Sequence, residues 1–198
     1  MAATAQPLMA FSTWGKSLPP ALTHLKPNAR VLALGDSLTA GYGANPTLSW
    51  PDRLAQLTGW QVVNKGVNGD TSAGALHRLK ALLEADSYDA VLVGIGGNDM
   101  LRGISPQAIR DNLAAIVRES KMRTPYVAVI ATPFPDPMEA ASGTLADAAF
   151  YKEVAMNEKA LLISNVYSHV LSNPALRSDP IHGNARGYAV MASGSRKN

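Results

Sequence analysis

The feature that most constrains the fold is a series of short apolar runs separated by longer segments of helical pattern. Four runs lie at residues 31–34, 90–93, 126–131 and 161–163, and a fifth candidate strand at 61–64 has two valines between Gln61 and Asn64. Short runs rich in Val, Leu, Ala and Ile are typical of strands that are buried on both faces. Five such strands alternating with helices predict a parallel sheet covered by helices on both sides and joined by right-handed crossovers.

The segments between the runs carry helix signals. Ser49 can cap one helix that has Pro51 in its first turn, and Ser105 can cap another that begins at Pro106. The predicted helices span residues 50–58, 72–85, a stretch from 106, about 145–159, and the start of a last helix at 187–192. Residues 1–28, broken by prolines, are expected to form an N-terminal arm, and residues 29–198 a single domain.

Composition narrows the function classes. The net charge is only +3, from 18 basic and 15 acidic residues without a basic run, so a nucleic-acid partner is not expected. The chain has no cysteine, which excludes disulfides, thiolate catalysis and cysteine-ligated zinc. With 46% hydrophobic residues, the chain is predicted to be globular rather than disordered.

The compartment is left open by the sequence. No apolar stretch approaches the roughly 18 residues that cross a membrane, so no transmembrane segment is expected. Residues 1–11 lack a basic segment followed by a long apolar core. The protein is therefore expected to be either cytoplasmic or periplasmic after removal of a signal peptide, and the second is slightly favoured. The oligomeric state is also undetermined.

A serine stands where the first apolar run ends. Ser37 lies in the segment Gly-Asp-Ser-Leu, directly after residues 31–34. Ligands and reactive groups gather at the carboxyl ends of the strands in open α/β sheets. Ser37 is therefore a candidate nucleophile, provided that other segments supply a base and an anion-stabilising site. Asp36 and Asp99 flank the proposed site, and we interpret them as carboxylates that shape turns rather than as catalytic groups.

Three further segments carry the remaining groups that acyl transfer needs. His182 is a candidate base, and Asp179, three residues earlier, can bond its Nδ1 so that Nε2 faces Ser37. Donors for an oxyanion can come from the Ser37 and Gly69 N–H groups and from the Asn98 amide. Glycine at position 69 suits a backbone that approaches the substrate closely.

These segments resemble the four sequence blocks of the SGNH/GDSL hydrolase superfamily. The blocks read, in order, GDSLTAGYG, NGDTSAG, GGNDMLRG and DPIH. The likeness is closest to the bacterial thioesterase–lysophospholipase–arylesterase branch, and it covers nearly everything from Arg30 to Tyr188. Each block alone is a weak signal, whereas four in order at expected strand ends are specific.

The resemblance implies a role for each matching residue. Ser37 would be the nucleophile, Asp179 and His182 would complete the triad, and Gly69 and Asn98 would serve the oxyanion hole together with Ser37. It also implies a three-layer α/β/α sandwich, flavodoxin-like, with a five-stranded parallel sheet in the order 2-1-3-4-5. The implied reaction is ester or thioester hydrolysis without a metal or other cofactor.

Two features depart from the family pattern. The family commonly has proline after the catalytic histidine, where this chain has Gly183, and this difference could loosen the loop that carries His182. The last helix is expected to be short, because the residues after Met191 do not continue an amphipathic pattern.

Two loops are expected to face the substrate. One follows Asn98 and carries Met100 and Leu101, and the other follows the fourth strand and carries Phe134 and Met138. Loops after strand ends usually set specificity. The partner is accordingly expected to be a small-molecule acyl ester or thioester, of undetermined chain length and leaving group.

Two alternatives to this interpretation stay open at this point. A carbohydrate or peptidoglycan O-acetylesterase would use the same residues in a more open and polar cleft. A receiver-like or ligand-binding module could share the topology, with Asp36 and Asp70 forming an acidic magnesium site. The second leaves Asn98 and His182 without a role, and no lysine stands directly after the last strand to complete such a site.

Overall fold

The apolar runs form the strands of one parallel sheet. The computed structural model describes residues 18–196. The strands are β1 (Arg30–Gly35), β2 (Gln61–Gly66), β3 (Ala90–Gly94), β4 (Tyr126–Ile130) and β5 (Leu161–Ile163). They lie in the order β2-β1-β3-β4-β5, and every neighbouring pair is parallel. This arrangement confirms the predicted order and fold class.

Helices cover both faces of the sheet. The larger helices are α2 (Trp50–Thr58), α3 (Ser72–Ala85), α5 (Pro106–Lys121), α7 (Phe150–Asn157), α8 (Val166–Ser172) and α9 (Ala185–Arg196). Val31 and Ala33 of β1 join the core shared with α2, α8 and α9, while Leu32 and Leu34 join the core shared with α3, α5 and α7. Successive residues of a strand point to opposite faces, so a strand buried on both sides must be apolar throughout.

Short elements follow the carboxyl ends of the strands and form the functional edge. The short helices are α1 (Ser37–Ala40) after β1, α4 (Gly97–Leu101) after β3 and α6 (Pro137–Ser142) after β4. A two-stranded antiparallel hairpin, β6 (Arg177–Asp179) and β7 (His182–Gly183), follows α8. Elements of this length are too short for hydrophobic periodicity to reveal.

The predicted helix at about 145–159 is shorter in the structure, where α7 spans only Phe150–Asn157. Residues before it form an extended connection, because the Phe134 N–H donates to the Ala146 carbonyl at 3.0 Å and Pro133 bridges Asp147. Lys159 has a φ of 52°, a left-handed conformation that cannot continue a helix. The connection before α7 is extended rather than helical because it pairs with the loop after β4.

The expectation of a short last helix was wrong, since α9 runs from Ala185 to Arg196. Its second half is rich in small residues, and Ala192 and Ser195 are buried. A Cβ atom on Gly194 would come within 2.8 Å of the Val166 side chain. The small residues of α9 allow it to pack closely against α8, so this half of the helix does not show an amphipathic pattern.

The first part of the predicted arm lies outside the described residues, which begin at Leu18. In the rest of the arm, Leu22 is fully buried and belongs to the same core cluster as Trp50. The division into an arm at 1–28 and a domain at 29–198 stays a prediction. Within residues 18–196, no helix is both long enough and apolar enough to span a membrane.

Candidate active site

Ser37 is the first residue of α1 and lies immediately beyond the end of β1. The Asp36 carboxylate caps this helix by accepting a hydrogen bond from the Leu38 N–H at 3.0 Å. The cap fixes the turn between strand and helix. It places the Ser37 side chain at the functional edge of the sheet, where the sequence predicts it.

The β6–β7 hairpin brings Asp179 and His182 together. The Asp179 Oδ1 accepts hydrogen bonds from the N–H groups of Ile181 and His182, both at 2.9 Å. The His182 Nδ1 lies 2.8 Å from the Asp179 Oδ2, and its Nε2 lies 2.9 Å from the Ser37 Oγ. With Nδ1–H donating to the carboxylate, Nε2 is left to accept the Ser37 proton.

The electrostatics of the hairpin favour an ionised Asp179. Burial works against the charge, but the hydrogen bond from the Ile181 N–H and the interactions with His182 outweigh it and lower the pKa of Asp179. A carboxylate that stays charged holds the imidazole in one tautomer and stabilises the imidazolium that forms when it takes a proton.

The predicted oxyanion donors lie on three different loops, and two of them, Ser37 and Asn98, line the same cavity. Gly69 follows β2 with a φ of 75°, a conformation that side chains with a Cβ rarely adopt. The Asn98 Nδ2 donates to the Asp70 carbonyl at 2.9 Å, which orients the amide and leaves its second hydrogen available. The Ser37 N–H stands at the start of α1, where no intrahelical partner exists.

A buried polar network supports these loops. Asp99 is fully buried and accepts hydrogen bonds from the Ser72 N–H at 2.9 Å and from the Ser72 hydroxyl at 2.5 Å. The Asn112 amide donates to that hydroxyl at 2.9 Å. Asp99 thus ties the helix that carries Asn98 to the start of α3. Its role matches the interpretation of a shape-giving carboxylate.

An arginine connects the same loops to β1. The Arg78 Nε donates to the Asp70 carboxylate at 2.9 Å, and its terminal nitrogen donates to the Gly35 carbonyl at 3.0 Å. Arg102 reaches from the end of α4 to the Gly69 carbonyl at 2.8 Å. Sequence reasoning gave neither arginine a role. Arg102 lies within the GGNDMLRG block, whereas nothing in the sequence marks Arg78.

Asp36 has an unusual electrostatic environment. Its carboxyl is almost completely buried, and burial raises the pKa to about 7. The Leu38 N–H lowers this pKa in part, and the nearby carboxylates of Asp70 and Asp99 raise it further. A carboxyl group that protonates near neutral pH therefore sits directly behind Ser37.

An apolar cavity of about 310 Å³ opens beside the Ser–His pair. Its walls include Leu101, Phe134 and Ile181, and its far part reaches Ala140 and Leu171. Of the four residues predicted to face the substrate, the structure brings Leu101 and Phe134 to the cavity.

The other two residues predicted to face the substrate lie elsewhere. Met100 packs against the core between the sheet and α5. Met138 is 82% exposed and does not line the cavity. Neighbouring residues of a helix point about 100° apart, and on this helix Leu101 faces the cavity while Met100 points toward the core.

Tyr42 is a further residue that sequence reasoning did not single out. Its ring lies against the His182 imidazole, with ring centroids 4.5 Å apart and planes inclined at 45°. The only sequence signal is its place in the GDSLTAGYG block, five residues after Ser37.

A serine bonded to an imidazole that is in turn bonded to a carboxylate, on the carboxyl edge of a flavodoxin-like sheet, defines the class of the protein as a serine hydrolase. Residues 33–190 match the GDSL-like lipase/acylhydrolase family. The chain belongs to this family, which confirms the resemblance drawn from the four sequence blocks.

Named relatives agree with this assignment. The chain is 32% identical over 147 residues to the esterase TesA of Pseudomonas aeruginosa, a match that covers 72% of this chain and 73% of that protein. It is 44% identical over 95 residues to thioesterase 1/protease 1/lysophospholipase L1 of Escherichia coli, covering 46% of this chain and 45% of the relative. The second match therefore spans about half the length of that protein.

A solved structure is similar over most of the chain. The psychrotrophic esterase EstA from Pseudoalteromonas sp., inhibited by monoethylphosphonate, superimposes with a TM-score of 0.73 at 26% identity. The likeness covers 84% of this chain and 93% of EstA. The similar fold and the named relatives support a GDSL-type serine ester hydrolase.

Proposed function

We propose that this protein hydrolyses carboxylic ester or thioester bonds of small to medium acyl substrates through an acyl-enzyme on Ser37. The observation that carries the proposal is the contact of 2.9 Å between the Ser37 Oγ and the His182 Nε2, with Asp179 bonded to the opposite ring nitrogen. A serine hydroxyl is a weak nucleophile until an adjacent base accepts its proton.

The first half of the reaction transfers the acyl group to the enzyme. The Ser37 Oγ attacks the carbonyl carbon while His182 takes the hydroxyl proton, and the carbonyl oxygen becomes an oxyanion. The Ser37 and Gly69 N–H groups and the Asn98 amide stabilise this charge, and removing one such donor typically costs about 10²–10³ in rate. His182 then protonates the leaving alcohol or thiol as its bond to carbon breaks.

The second half releases the acid. His182 removes a proton from water, the resulting hydroxide attacks the acyl carbon, and a second oxyanion forms in the same donor set. Collapse of this intermediate breaks the bond to the Ser37 Oγ, which regains its proton from His182. A general base in this position typically contributes about 10²–10⁴ in rate.

The cavity supports an apolar acyl group. Leu101 and Phe134 line it next to Ser37 and His182, and residues of α6 and α8 line its remainder. We propose substrate contact for Leu101 and Phe134 only. The named relatives are an esterase and a thioesterase/lysophospholipase. Together with the apolar walls, they do not favour the O-acetylesterase alternative, which calls for a polar cleft.

The proposal is tested with the variant Ser37→Ala. Turnover of p-nitrophenyl butyrate should fall by at least about 10⁴-fold, because the nucleophile is lost and only binding and oxyanion stabilisation remain. Labelling by a fluorophosphonate probe should disappear. Ser193→Ala, which alters an exposed serine on α9, is the matched control and should keep both properties. Normal turnover by the Ser37→Ala variant would exclude the mechanism.

A panel of p-nitrophenyl esters and acyl thioesters of graded chain length tests the substrate class. The apolar cavity predicts that kcat/KM rises from acetyl to medium-length acyl groups, because each buried methylene contributes about 0.8 kcal/mol. A flat response along the series, or a preference for acetylated sugars, would contradict this part of the proposal.

A further inference from the structure

We propose that Tyr42 is a positioning residue for the general base, and that its ring holds the His182 imidazole in place against Ser37. This inference rests on the proposed function, because it assigns Tyr42 a part in activating the same nucleophile. Four observations carry it: the ring contact with His182, two backbone anchors of Tyr42, and the close approach of its loop to the β6–β7 hairpin.

The Tyr42 ring contacts an imidazole whose other described contacts are hydrogen bonds at its two ring nitrogens. His182 stands next to a tight turn, and the described bonds of its ring run to Asp179 at Nδ1 and to Ser37 at Nε2. Neither hydrogen bond prevents the imidazole from rotating about the axis through its two bonded nitrogens. The Tyr42 ring, with its centroid 4.5 Å away, restricts that rotation.

The first anchor ties Tyr42 to the nucleophile itself. The N–H groups of Gly41 and Tyr42 both donate to the Ser37 carbonyl at 3.0 Å. These bonds fix the distance between the Tyr42 backbone and Ser37. A Tyr42 ring that restrains His182 therefore also holds the imidazole at a fixed distance from the Ser37 hydroxyl, whose proton His182 takes.

The second anchor comes from the last helix. The Tyr188 hydroxyl donates to the Tyr42 carbonyl at 2.6 Å, and Tyr188 is fully buried. Burial raises the pKa of Tyr188, and the negative charges of Asp36 and Asp179 raise it further, so the hydroxyl stays a donor. The same Tyr188 ring lies against Gly183, where an added Cβ would be 3.4 Å from it. One residue thus supports both the tyrosine and the residue after His182.

The loop of Tyr42 also touches the hairpin through its backbone. Gly43 has a φ of 86°, and a Cβ atom there would come within 2.1 Å of the Ser178 Oγ and 3.0 Å of the Gly183 carbonyl oxygen. Only glycine permits this approach. The Tyr42 loop and Tyr188 therefore both contact Gly183, the residue directly after His182.

The test compares Tyr42→Ala with Tyr42→Phe. A displacement of the base by about 1 Å can cost 10²-fold in rate, so we expect kcat for p-nitrophenyl butyrate to fall about 10- to 100-fold in Tyr42→Ala, with KM changed less than about threefold. The second-order rate of labelling by a small fluorophosphonate should fall equally, because it reports how strongly Ser37 is activated. Tyr42→Phe keeps the ring and should restore both rates to within about twofold of wild type.

Two further variants separate the possible causes. Tyr188→Phe removes the hydroxyl that bonds the Tyr42 carbonyl and the Gly183 backbone, and it should lower kcat and labelling by a smaller factor than Tyr42→Ala. Phe134→Ala removes a ring from the wall of the apolar cavity and should raise KM for the butyrate ester, while labelling by the small probe stays normal.

Three results would overturn the inference. Normal labelling of Tyr42→Ala, a change in KM alone, or failure of phenylalanine to restore the rates would mean that the ring does not position the base. These results differ from failure of the proposed function, in which wild-type protein itself would not be labelled at Ser37, and which would remove both proposals.

Discussion

The two sides of the site are built in opposite ways. The base side is the β6–β7 hairpin, in which Asp179 bonds His182, the proposed base, three residues further along the chain. The oxyanion side is the pair of loops carrying the proposed donors Gly69 and Asn98, and its supporting bonds join residues 27 to 43 positions apart. The base side is partly exposed, whereas the oxyanion side rests on the fully buried Asp99.

Because of this difference, activity and stability should respond separately to changes on the base side and together to changes on the oxyanion side. A locally bonded hairpin can lose a chemical group while the rest of the domain is unaffected. The oxyanion side shares its hydrogen bonds with the packing of α3, α4 and α5, so a change there alters stability and activity together. The predictions below test this contrast by changing one carboxyl group at a time.

The largest effect is expected from Asp179→Asn on the base side. The asparagine oxygen can still accept the two backbone N–H groups of the turn, but its amide now donates to Nδ1 and forces the proton onto Nε2. That tautomer cannot accept the Ser37 proton, so kcat should fall about 10³- to 10⁴-fold. The thermal unfolding midpoint, measured by calorimetry, should change by less than about 4 °C, the shift that about 1 kcal/mol produces in a domain of this size.

A large loss of stability in Asp179→Asn would show that the hairpin is coupled to the core. Its matched control is Asp111→Ala, an exposed carboxylate on α5 bonded only to the neighbouring Gln107 among the described residues. The control should leave both kcat and the unfolding midpoint near the wild-type values.

The next effect concerns Asp36 and depends on pH. Its pKa is about 7 in the folded protein and 3.8 in the reference state, so the folded protein binds this proton more tightly than the unfolded chain. The stability of the wild type should therefore decline as pH rises from about 4 to about 7, by on the order of 4 kcal/mol from this group. Asp36→Asn keeps an acceptor for the Leu38 N–H and removes the titration.

Denaturant unfolding of both proteins at several pH values measures this effect. The stability difference should shift in favour of Asp36→Asn as pH increases and should level off above about pH 8. Parallel curves for the two proteins between pH 4 and pH 8 would contradict a neutral Asp36 in the folded state.

The smallest of the three effects is expected from Asp99→Ala, but it should appear in two measurements at once. Removing this carboxylate leaves the buried Ser72 N–H and hydroxyl without their acceptor, and such a loss costs about 1–3 kcal/mol of unfolding free energy. Because Asn98 precedes it on α4, kcat should fall as well. A variant that loses only stability, with unchanged kcat, would mean that Asn98 is positioned independently of this network.

The strands and the capped helices could be predicted because their signals are local. A strand buried on both faces has to be apolar, and the serines at 49 and 105 cap α2 and α5 through side-chain hydrogen bonds. The segment at 144–149 could not be predicted, because its extended form depends on pairing with the distant loop after β4. The length of α9 was missed because its small residues are explained only by the helices against which they pack.

The candidate site shows the same difference between local sequence signals and contacts that depend on distant residues. Sequence blocks at strand ends predicted which groups would meet, and the structure brings Ser37, Asp179 and His182 into contact. The orientation of short helices was not predictable, so Met100 and Met138 were expected at the substrate and lie elsewhere. The bond from Arg78 to the Gly35 carbonyl and the contact of Tyr42 with His182 join residues far apart in sequence, and no local pattern reveals such pairs.

The separation of Ser37 and His182 by 145 residues has a consequence for protein synthesis. The nucleophile leaves the ribosome early, while the base and its carboxylate follow only after all five strands of the sheet. A growing chain therefore carries an unactivated serine through most of its translation. In the proposed mechanism, hydrolysis needs the docked hairpin, so the order of the elements along the chain delays the activation of Ser37 until the sheet that supports it is complete.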